Sequence, residues 1–292
     1  MMTVRSAIRR ATQIEEVNFL LTNRIPRRLA TRFAGWFSRI ELAPVRALSI
    51  AIWRLLCDVD LGDARKTRFT SLHDCFVREL EEGARPPVGD PLLLASPCDA
   101  IVGACGPIEG DRPYQVKGLA YALADLLGDA AHAEIYRDGV YATLRLTAGM
   151  YHHFHAPHDL RVEAVRYIHG DVWNVNPVAL KRVERLFCRN ERAAIRARLD
   201  RNGAPITLVA VAAILVAGIR LPFLGEAGLR GGGTRTIAAD APFAKGERIG
   251  WFEHGSTILL FAPKGFALQH GIETGRRIKA GAALFRLPAS PA

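Results

Sequence analysis

The longest apolar run of the chain, from Ile206 to Ile219, limits the architectures that the sequence can adopt. Its 14 residues are interrupted only by Thr207 and Gly218, whereas a helix needs about 20 apolar residues to cross a bilayer. The run is rich in Val and Ile, which favour strands. It therefore predicts buried β-strands, and any contact of the protein with a membrane is expected to be peripheral.

Patterns elsewhere extend this prediction. Apolar residues alternate with other residues over 140–146, which predicts a half-buried strand. Further strands are expected at 247–252 and 257–263, and a helix is expected from Pro177 to Leu186. The predicted fold class is α+β, with a β-rich core shaped like a sandwich or barrel and a helical N-terminal region.

Residues 14–62 predict two amphipathic helices, with Pro26 and Pro44 in their first turns. An apolar stripe with aromatic residues and an arginine-rich flank suits a helix that lies on an anionic membrane. Every surface helix shares this periodicity, so docking onto the protein's own core is an equal alternative. The candidate membrane contacts in the first helix are Arg27, Arg28, Leu29, Arg32, Phe33 and Trp36.

The balance of charge suggests an anionic partner. The chain carries a formal net charge of +10 and has a pI of about 9.8, which fits nucleic acid or an acidic membrane surface. No nucleic-acid-binding motif accompanies the charge, so nucleic acid is not expected as a partner. The five cysteines are odd in number and lack a CxxC pair, which predicts reduced thiols in the cytosol.

Ser256 is a candidate nucleophile. It lies in the triplet Gly255-Ser256-Thr257, between two apolar, strand-like runs. A serine hydroxyl attacks only when a base removes its proton and a third group orients that base. Attack of its Oγ on the Gly255 carbonyl would be an N-to-O acyl shift, and β-elimination would then cut the chain. A bare Gly-Ser-Thr is far more often an ordinary turn.

The segment 151–158, Tyr-His-His-Phe-His-Ala-Pro-His, supplies candidate bases because the pKa of histidine suits proton transfer. If the segment is extended, His153 and His155 share one face and His152 points to the other. If it turns, His152 and His155 meet. Two alternatives are a metal site formed with His158 and a cluster of solvated histidines, although no HExxH or paired cysteines support a metal.

Asp99 is the candidate orienting acid. It lies between apolar stretches and directly before the strand-like Ile101-Val102-Gly103. A carboxylate in such a place could orient an imidazole. A lone aspartate shortly after Pro97 is otherwise a common turn residue.

Taken in order, these motifs resemble the phosphatidylserine decarboxylase proenzyme family, from roughly Phe19 to Leu287. The shared elements are Phe76-Val77-Arg78, Ser96-Pro97-Cys98-Asp99, Lys117-Gly118, Tyr151-His152-His153-Phe154-His155-Ala156-Pro157, Gly170-Asp171, Val175-Asn176, Asn190-Glu191-Arg192, Gly255-Ser256-Thr257 and Phe261-Ala262-Pro263.

The resemblance implies a role for each matching residue. Ser256 would be the nucleophile of self-cleavage, His155 its base and Asp99 the residue that orients the base. The bond cut would be Gly255–Ser256, and Ser256 would become a covalent pyruvoyl cofactor, with no metal. His152 matches the motif histidine that the family uses in decarboxylation.

The implied reaction converts phosphatidylserine to phosphatidylethanolamine and CO2 through a Schiff base with the pyruvoyl group, a step of phospholipid biosynthesis. The implied organisation is a membrane-contacting region at 1–62, the rest of the large (beta) chain at 63–255 and a small (alpha) chain at 256–292. The two chains would stay together on the cytoplasmic side of the cell membrane, as a peripheral protein. The resemblance leaves open a homodimer of this two-chain unit.

Two other functions compete with this one. A related pyruvoyl decarboxylase could act on another serine-bearing lipid or on a soluble serine derivative. A degenerate, uncleaved membrane-binding protein is disfavoured because the three triad residues are intact. The chain departs from the family pattern at Ala100, where a glycine is usual, and at His153 and His254. These departures bear on cleavage rate, pH dependence and head-group preference more than on the type of reaction.

Overall fold

The computed structural model describes residues 16, 19, 26–116, 119–214, 218–225, 228–229, 233–253 and 256–288. The helices are α1 (Arg27–Phe37), α2 (Ala43–Leu56), α3 (Leu72–Phe76), α4 (Leu123–Leu127), α5 (Ala130–Glu134), α6 (Pro177–Arg182) and α7 (Leu186–Arg189), with a 3-10 turn at Pro222–Leu224. The strands are β1 (Leu93–Ala95), β2 (Ala100–Pro107), β3 (Tyr114–Val116), β4 (Leu119–Ala120), β5 (Val140–Arg145), β6 (His153–His155), β7 (Leu160–Ile168), β8 (Arg192–Leu199), β9 (Pro205–Ala212), β10 (Ile219–Arg220), β11 (Arg235–Phe243), β12 (Arg248–Phe252), β13 (Ser256–Ala262), β14 (Ala267–Leu268), β15 (Arg277–Ile278) and β16 (Ala283–Arg286).

An antiparallel sheet of eight strands forms the core, in the order β11-β7-β8-β9-β13-β5-β2-β15. The apolar run that begins at Ile206 forms β9, which is buried along almost its whole length. Strand β13 lies between β9 and β5 and is hydrogen-bonded to both. The α+β class and the β-rich core predicted from the sequence are thus confirmed.

Both faces of this sheet are covered, and one prediction was wrong for that reason. Strand β5 was expected to be half-buried, but Tyr141 and Thr143 are as buried as the residues between them. Tyr141 belongs to a second apolar cluster, which includes Leu126 and Phe187 on the face of the sheet opposite the main cluster. Alternation along a strand does not distinguish an exposed face from a face that helices cover.

A small sheet, in the order β10-β12-β6, positions the histidine segment. Strand β6 runs antiparallel to β12, so that His155 lies opposite Arg248 and His153 lies opposite Trp251. The N–H of Phe252 donates to the carbonyl oxygen of His152 at 3.0 Å. Strand β12 is followed in the chain by β13, so the histidines lie beside the strand that leads to Ser256.

The N-terminal helices present apolar side chains to solvent. Helix α1 begins directly after Pro26, and Pro44 lies in the first turn of α2. The side chains of Leu29, Phe33 and Trp36 are between 62% and 66% exposed, and Leu48 on α2 is 64% exposed. These stripes do not dock onto the core, which was the alternative to a membrane contact. In the described part of the chain, every helix is too short or too polar to span a membrane.

Candidate active site

Ser256 is the first residue of β13, at the end of a central strand. It lies opposite Ala212 of β9, and the next residue, Thr257, lies opposite Arg145 of β5. The structure describes Ser256 through its backbone, and His254 and Gly255 lie outside the described residues. The predicted cleavage point is therefore located at the edge where β9, β13 and β5 end together.

An apolar cavity of about 440 Å³ opens at this edge of the sheet. Arg145 lies opposite Thr257, and Ala213 follows the residue opposite Ser256, so the cavity begins beside the start of β13. Among the described lining residues, Arg145 alone carries a charge. The lining residues are Trp53, Cys57, Leu72, Phe76, Arg145, Leu146, Thr147, Ala148, Asn174, Val175, Asn176, Ala213 and Ile214.

His152 lies against one wall of this cavity. Its side chain is fully buried, and its ring centroid is 4.0 Å from that of Phe76, which lines the cavity. Because β6 is extended, Tyr151, His153 and His155 stack along one face, while Phe154 packs on Phe252 in the core. The extended form of the segment, one of the two predicted, is the one observed.

His155 is held with one nitrogen free of a proton. Its Nδ1 is 2.9 Å from the carbonyl oxygen of Gly246, which only accepts, so Nδ1 carries the proton and donates. Its Nε2 therefore accepts from the hydroxyl of Tyr151 at 3.1 Å. Burial lowers the pKa of His155 below its ordinary 6.5. The imidazole is consequently neutral at pH 7, with Nε2 as its basic atom.

Asp99 lies near His155 but does not contact its ring. Its two oxygens accept from Arg85 at 2.8 Å each, and one of them also accepts from the N–H of Ala280 at 2.9 Å. The N–H of His155 donates to the carbonyl oxygen of Pro97 at 2.8 Å, so the two segments are adjacent. The charge of Asp99 opposes the lowering of the His155 pKa by burial. The structure thus brings Asp99 close enough to His155 for their charges to interact, but the two side chains do not form the hydrogen bond that an orienting acid makes.

Tyr151 lies between His155 and Asp99 in the site, and its role was not predicted from the sequence. It donates to His155 and lines, with Asp99, a second cavity of about 310 Å³. The sequence feature that could have identified Tyr151 is its spacing, two residues before His153 and four before His155. This spacing puts all three side chains on one face of an extended strand.

Glu253 is a second site residue that was not predicted from the sequence. It is 4% exposed, and its Oε1 accepts from Arg39, just beyond α1, and from Arg220, both at 3.0 Å. Its N–H donates to the carbonyl oxygen of Gly218 at 3.1 Å. An acid that directly follows the apolar Trp251-Phe252 was the available signal. Glu253 anchors the segment that leads to the predicted cleavage point.

Two of the arginines of α1 that were predicted to contact a membrane also make contacts within the protein. Arg27 forms an ion pair with Asp171 at 2.5 Å, and its guanidinium lies 3.7 Å from the centre of the Trp173 ring. Arg28 donates to the carbonyl oxygen of Gly170 at 3.4 Å. Arg32 is exposed and available to an anionic surface. The contact with Asp171 already compensates the charge of Arg27.

Two departures from the family motifs, Ala100 and His153, fit their surroundings. Ala100 begins β2 without the positive φ that would require glycine. His153 donates from Nε2 to the carbonyl oxygen of Val77 at 2.9 Å and stacks on Trp251. Within the described residues, no group of three or more His, Cys, Asp or Glu side chains is arranged to hold a metal ion.

Comparison with known proteins identifies the family. The family model described as phosphatidylserine decarboxylase matches residues 72–286. The chain is 32% identical over 289 aligned residues to the phosphatidylserine decarboxylase proenzyme of Erwinia tasmaniensis, covering 93% of this chain and 94% of that protein. It is 34% identical over 258 residues to the proenzyme of the same description from Alkalilimnicola ehrlichii, with 85% and 89% covered.

The matched residues run from α3 to β16 and include every strand that borders the apolar cavity. They define the class of protein, which is an enzyme and a carboxy-lyase. More specifically, the chain belongs to the phosphatidylserine decarboxylase family.

Proposed function

We propose that the chain cleaves itself between Gly255 and Ser256 and then decarboxylates phosphatidylserine to phosphatidylethanolamine and CO2. The observation that carries this proposal is the position of Ser256, at the mouth of an apolar cavity and beside a segment that holds a neutral histidine. The match to relatives described as proenzymes, over nearly their whole length, supports both steps.

Self-cleavage begins when Nε2 of His155 exchanges the hydrogen bond from Tyr151 for one from Ser256 and takes the proton of the Ser256 hydroxyl. The serine Oγ then bonds to the Gly255 carbonyl carbon as the C–N bond breaks, and the amine takes up a proton. β-Elimination removes the Cα proton of residue 256 to a base, breaks the Cβ–O bond, and leaves a carboxylate on Gly255 and a dehydroalanine at residue 256. Tautomerisation and hydrolysis release ammonia and leave the pyruvoyl group. The nearby charge of Asp99 stabilises the imidazolium that forms on His155.

The residues around the cavity suit a pyruvoyl group at position 256. When present, its ketone supplies an electron sink for the substrate α-carbon as CO2 leaves. The apolar walls disfavour the carboxylate of the substrate relative to the neutral CO2 that forms from it. His152, buried against the Phe76 wall, is placed to deliver the proton that replaces CO2.

The lipid reaches this cavity from a membrane surface. Trp53 of α2 lines the cavity, while Leu48 and Ile52 on the same helix are exposed to solvent. Helices α1 and α2 then lie on the bilayer as a peripheral anchor, with Arg32 near anionic head groups. The cysteines in the described chain are free thiols, which fits the cytoplasmic side of the cell membrane.

The direct test is release of CO2 from phosphatidylserine in mixed micelles by purified protein without added pyridoxal phosphate or metal. We expect turnover, and reduction with cyanoborohydride during turnover should attach the substrate to the first residue of the small chain. A protein that stays inactive on phosphatidylserine but acts on a soluble serine derivative would favour the related decarboxylase instead. Loss of activity on chelation that zinc restores would contradict the pyruvoyl mechanism.

A further inference from the structure

Arg145 is the charged side chain of the apolar cavity and has no assigned role in cleavage. It ends β5, opposite Thr257, and is partly buried. Within the described residues, it makes no ion pair, and burial is the cause that lowers its pKa, without any acid that raises it. An arginine keeps its charge in proteins, and a buried charge that lacks a partner is costly. Among the described residues, the cavity therefore presents a cation that no protein anion neutralises.

Phosphatidylserine offers two anions to such a cation, the carboxylate that leaves and the phosphodiester that stays. An arginine on the carboxylate would stabilise a charge that disappears in the transition state, and so would oppose decarboxylation. The phosphodiester keeps its charge throughout the reaction. Its oxygens also match the planar guanidinium, which forms paired hydrogen bonds with phosphate.

The distances allow this arrangement. Arg145 and Thr257 lie opposite each other in the antiparallel pair, where Cα atoms are about 4.5 to 5.5 Å apart. In the serine head group, four bonds join the phosphorus to the amine, a reach of about 5 Å. When the amine of the substrate is bonded at residue 256, its phosphate thus lies within reach of the Arg145 side chain, because Arg145 pairs with the next residue, Thr257.

We infer that Arg145 binds the phosphodiester of the lipid and selects serine that is carried on a phosphate over serine on an uncharged carrier. This inference rests on the proposed function, because it names how the same cavity recognises its substrate. Binding a charge that the reaction leaves unchanged lowers KM without raising kcat. The product, phosphatidylethanolamine, keeps the phosphate and lacks the carboxylate, so it must share this contact.

The test compares processed wild-type protein with R145Q and R145K on short-chain phosphatidylserine in mixed micelles, measured by CO2 release. We expect R145Q to raise KM roughly tenfold to a hundredfold, as for loss of charge-assisted hydrogen bonds, with kcat changed by less than about threefold. R145K keeps the charge but lacks the planar guanidinium that forms paired hydrogen bonds, so its KM should lie between those of wild type and R145Q. The inhibition constant of phosphatidylethanolamine should rise by the same factor as KM.

Two further measurements make the result specific. R201Q removes an exposed arginine from a distant turn and should leave both constants unchanged. A diacylglycerol serine ester that lacks phosphate should be turned over equally by wild type and R145Q. If R145Q does not process itself, the comparison of R145K with wild type carries the same test.

Unchanged KM and product inhibition in the Arg145 variants would overturn the inference while leaving the proposed function intact. A raised KM with unchanged product inhibition would place Arg145 on the carboxylate and would also overturn it. Wild-type protein that releases no CO2 from phosphatidylserine would sink the proposed function, and the inference with it.

Discussion

At the scale of single residues, burial and hydrogen bonds give two histidines of the site different surroundings. His155 is fixed by Gly246 and Tyr151 with a basic Nε2, on the same side as Asp99. His152 points the other way and packs against the cavity wall. The alternating directions of side chains in an extended strand separate the two residues, although only two positions lie between them.

This separation predicts different defects for the two alanine variants. His155→Ala should remain an intact precursor, because no base activates Ser256. His152→Ala should cleave and yet decarboxylate at least about a hundredfold more slowly, as expected for loss of a general acid. Gel analysis of cleavage beside CO2 release measures both steps. Normal cleavage in His155→Ala with blocked cleavage in His152→Ala would reverse the two assignments.

The pKa of His155 predicts how cleavage depends on pH. Burial favours the neutral imidazole and lowers the pKa below 6.5, and the base must be neutral to accept a proton. The rate of cleavage of freshly made precursor should therefore stay constant from about pH 8 down to about pH 6.5 and fall only at lower pH. A rate that already declines between pH 8 and pH 7 would contradict a buried, neutral base.

At the scale of secondary structure elements, the segment with the predicted cleavage point is held from two directions. Strand β12 fixes its beginning against β6, and β13 fixes its end between β9 and β5. Glu253 lies between these strands and joins them to Arg39 and Arg220. We interpret Glu253 as a positioning residue, which acts through the geometry of the segment and not on the reacting atoms.

Glu253→Gln should slow self-cleavage by roughly tenfold, because the segment loses its charged anchor. Both arginines remain about two-fifths exposed, so the stability lost should be only about 1 to 2 kcal/mol. Glu163→Gln removes an exposed partner of Arg198 and serves as the control. The time course of cleavage should differ between the variants at equal folded fraction. Cleavage of Glu253→Gln at the wild-type rate would contradict a positioning role.

Much of this element-scale picture could be predicted from the sequence. The Val- and Ile-rich run predicted β9, and Pro44 predicted the first turn of α2. Contacts between distant segments could not be predicted. The pairing of Asp99 with Arg85 depends on how β2 and the preceding loop pack, and no local pattern encodes it. The two covered faces of β5 escaped prediction for the same reason.

At the scale of the whole molecule, the proposed cleavage and the proposed membrane contact depend on separate parts of the fold. Strand β13 is hydrogen-bonded on both sides, so a cut before Ser256 leaves the small chain held in the centre of the sheet. The exposed apolar stripes of α1 and α2 lie outside that sheet. The predicted division at 255 and 256 thus separates two chains but not two folding units.

The stripes predict the effect of surface substitutions on vesicle binding. Replacing both Phe33 and Trp36 by serine should reduce partition onto anionic vesicles by more than about tenfold, because each large side chain contributes about 1.5 to 3 kcal/mol when buried. Arg32→Ala should cost about 1 kcal/mol at low salt and less at high salt. Ile135→Ser changes an exposed apolar residue away from these helices and is the matched control. Equal vesicle binding by the double variant and wild type would exclude α1 as the anchor.

The central claim is that Ser256 becomes the first residue of a new chain, and intact-mass spectrometry tests it most directly. Purified wild-type protein should give two chains, residues 1–255 and 256–292, the second with a pyruvoyl group in place of its N-terminal serine. Ser256→Ala should give one chain of 292 residues. Wild-type protein that remains one full-length chain for days under native conditions, or a small chain that retains an ordinary N-terminal serine, would contradict the account.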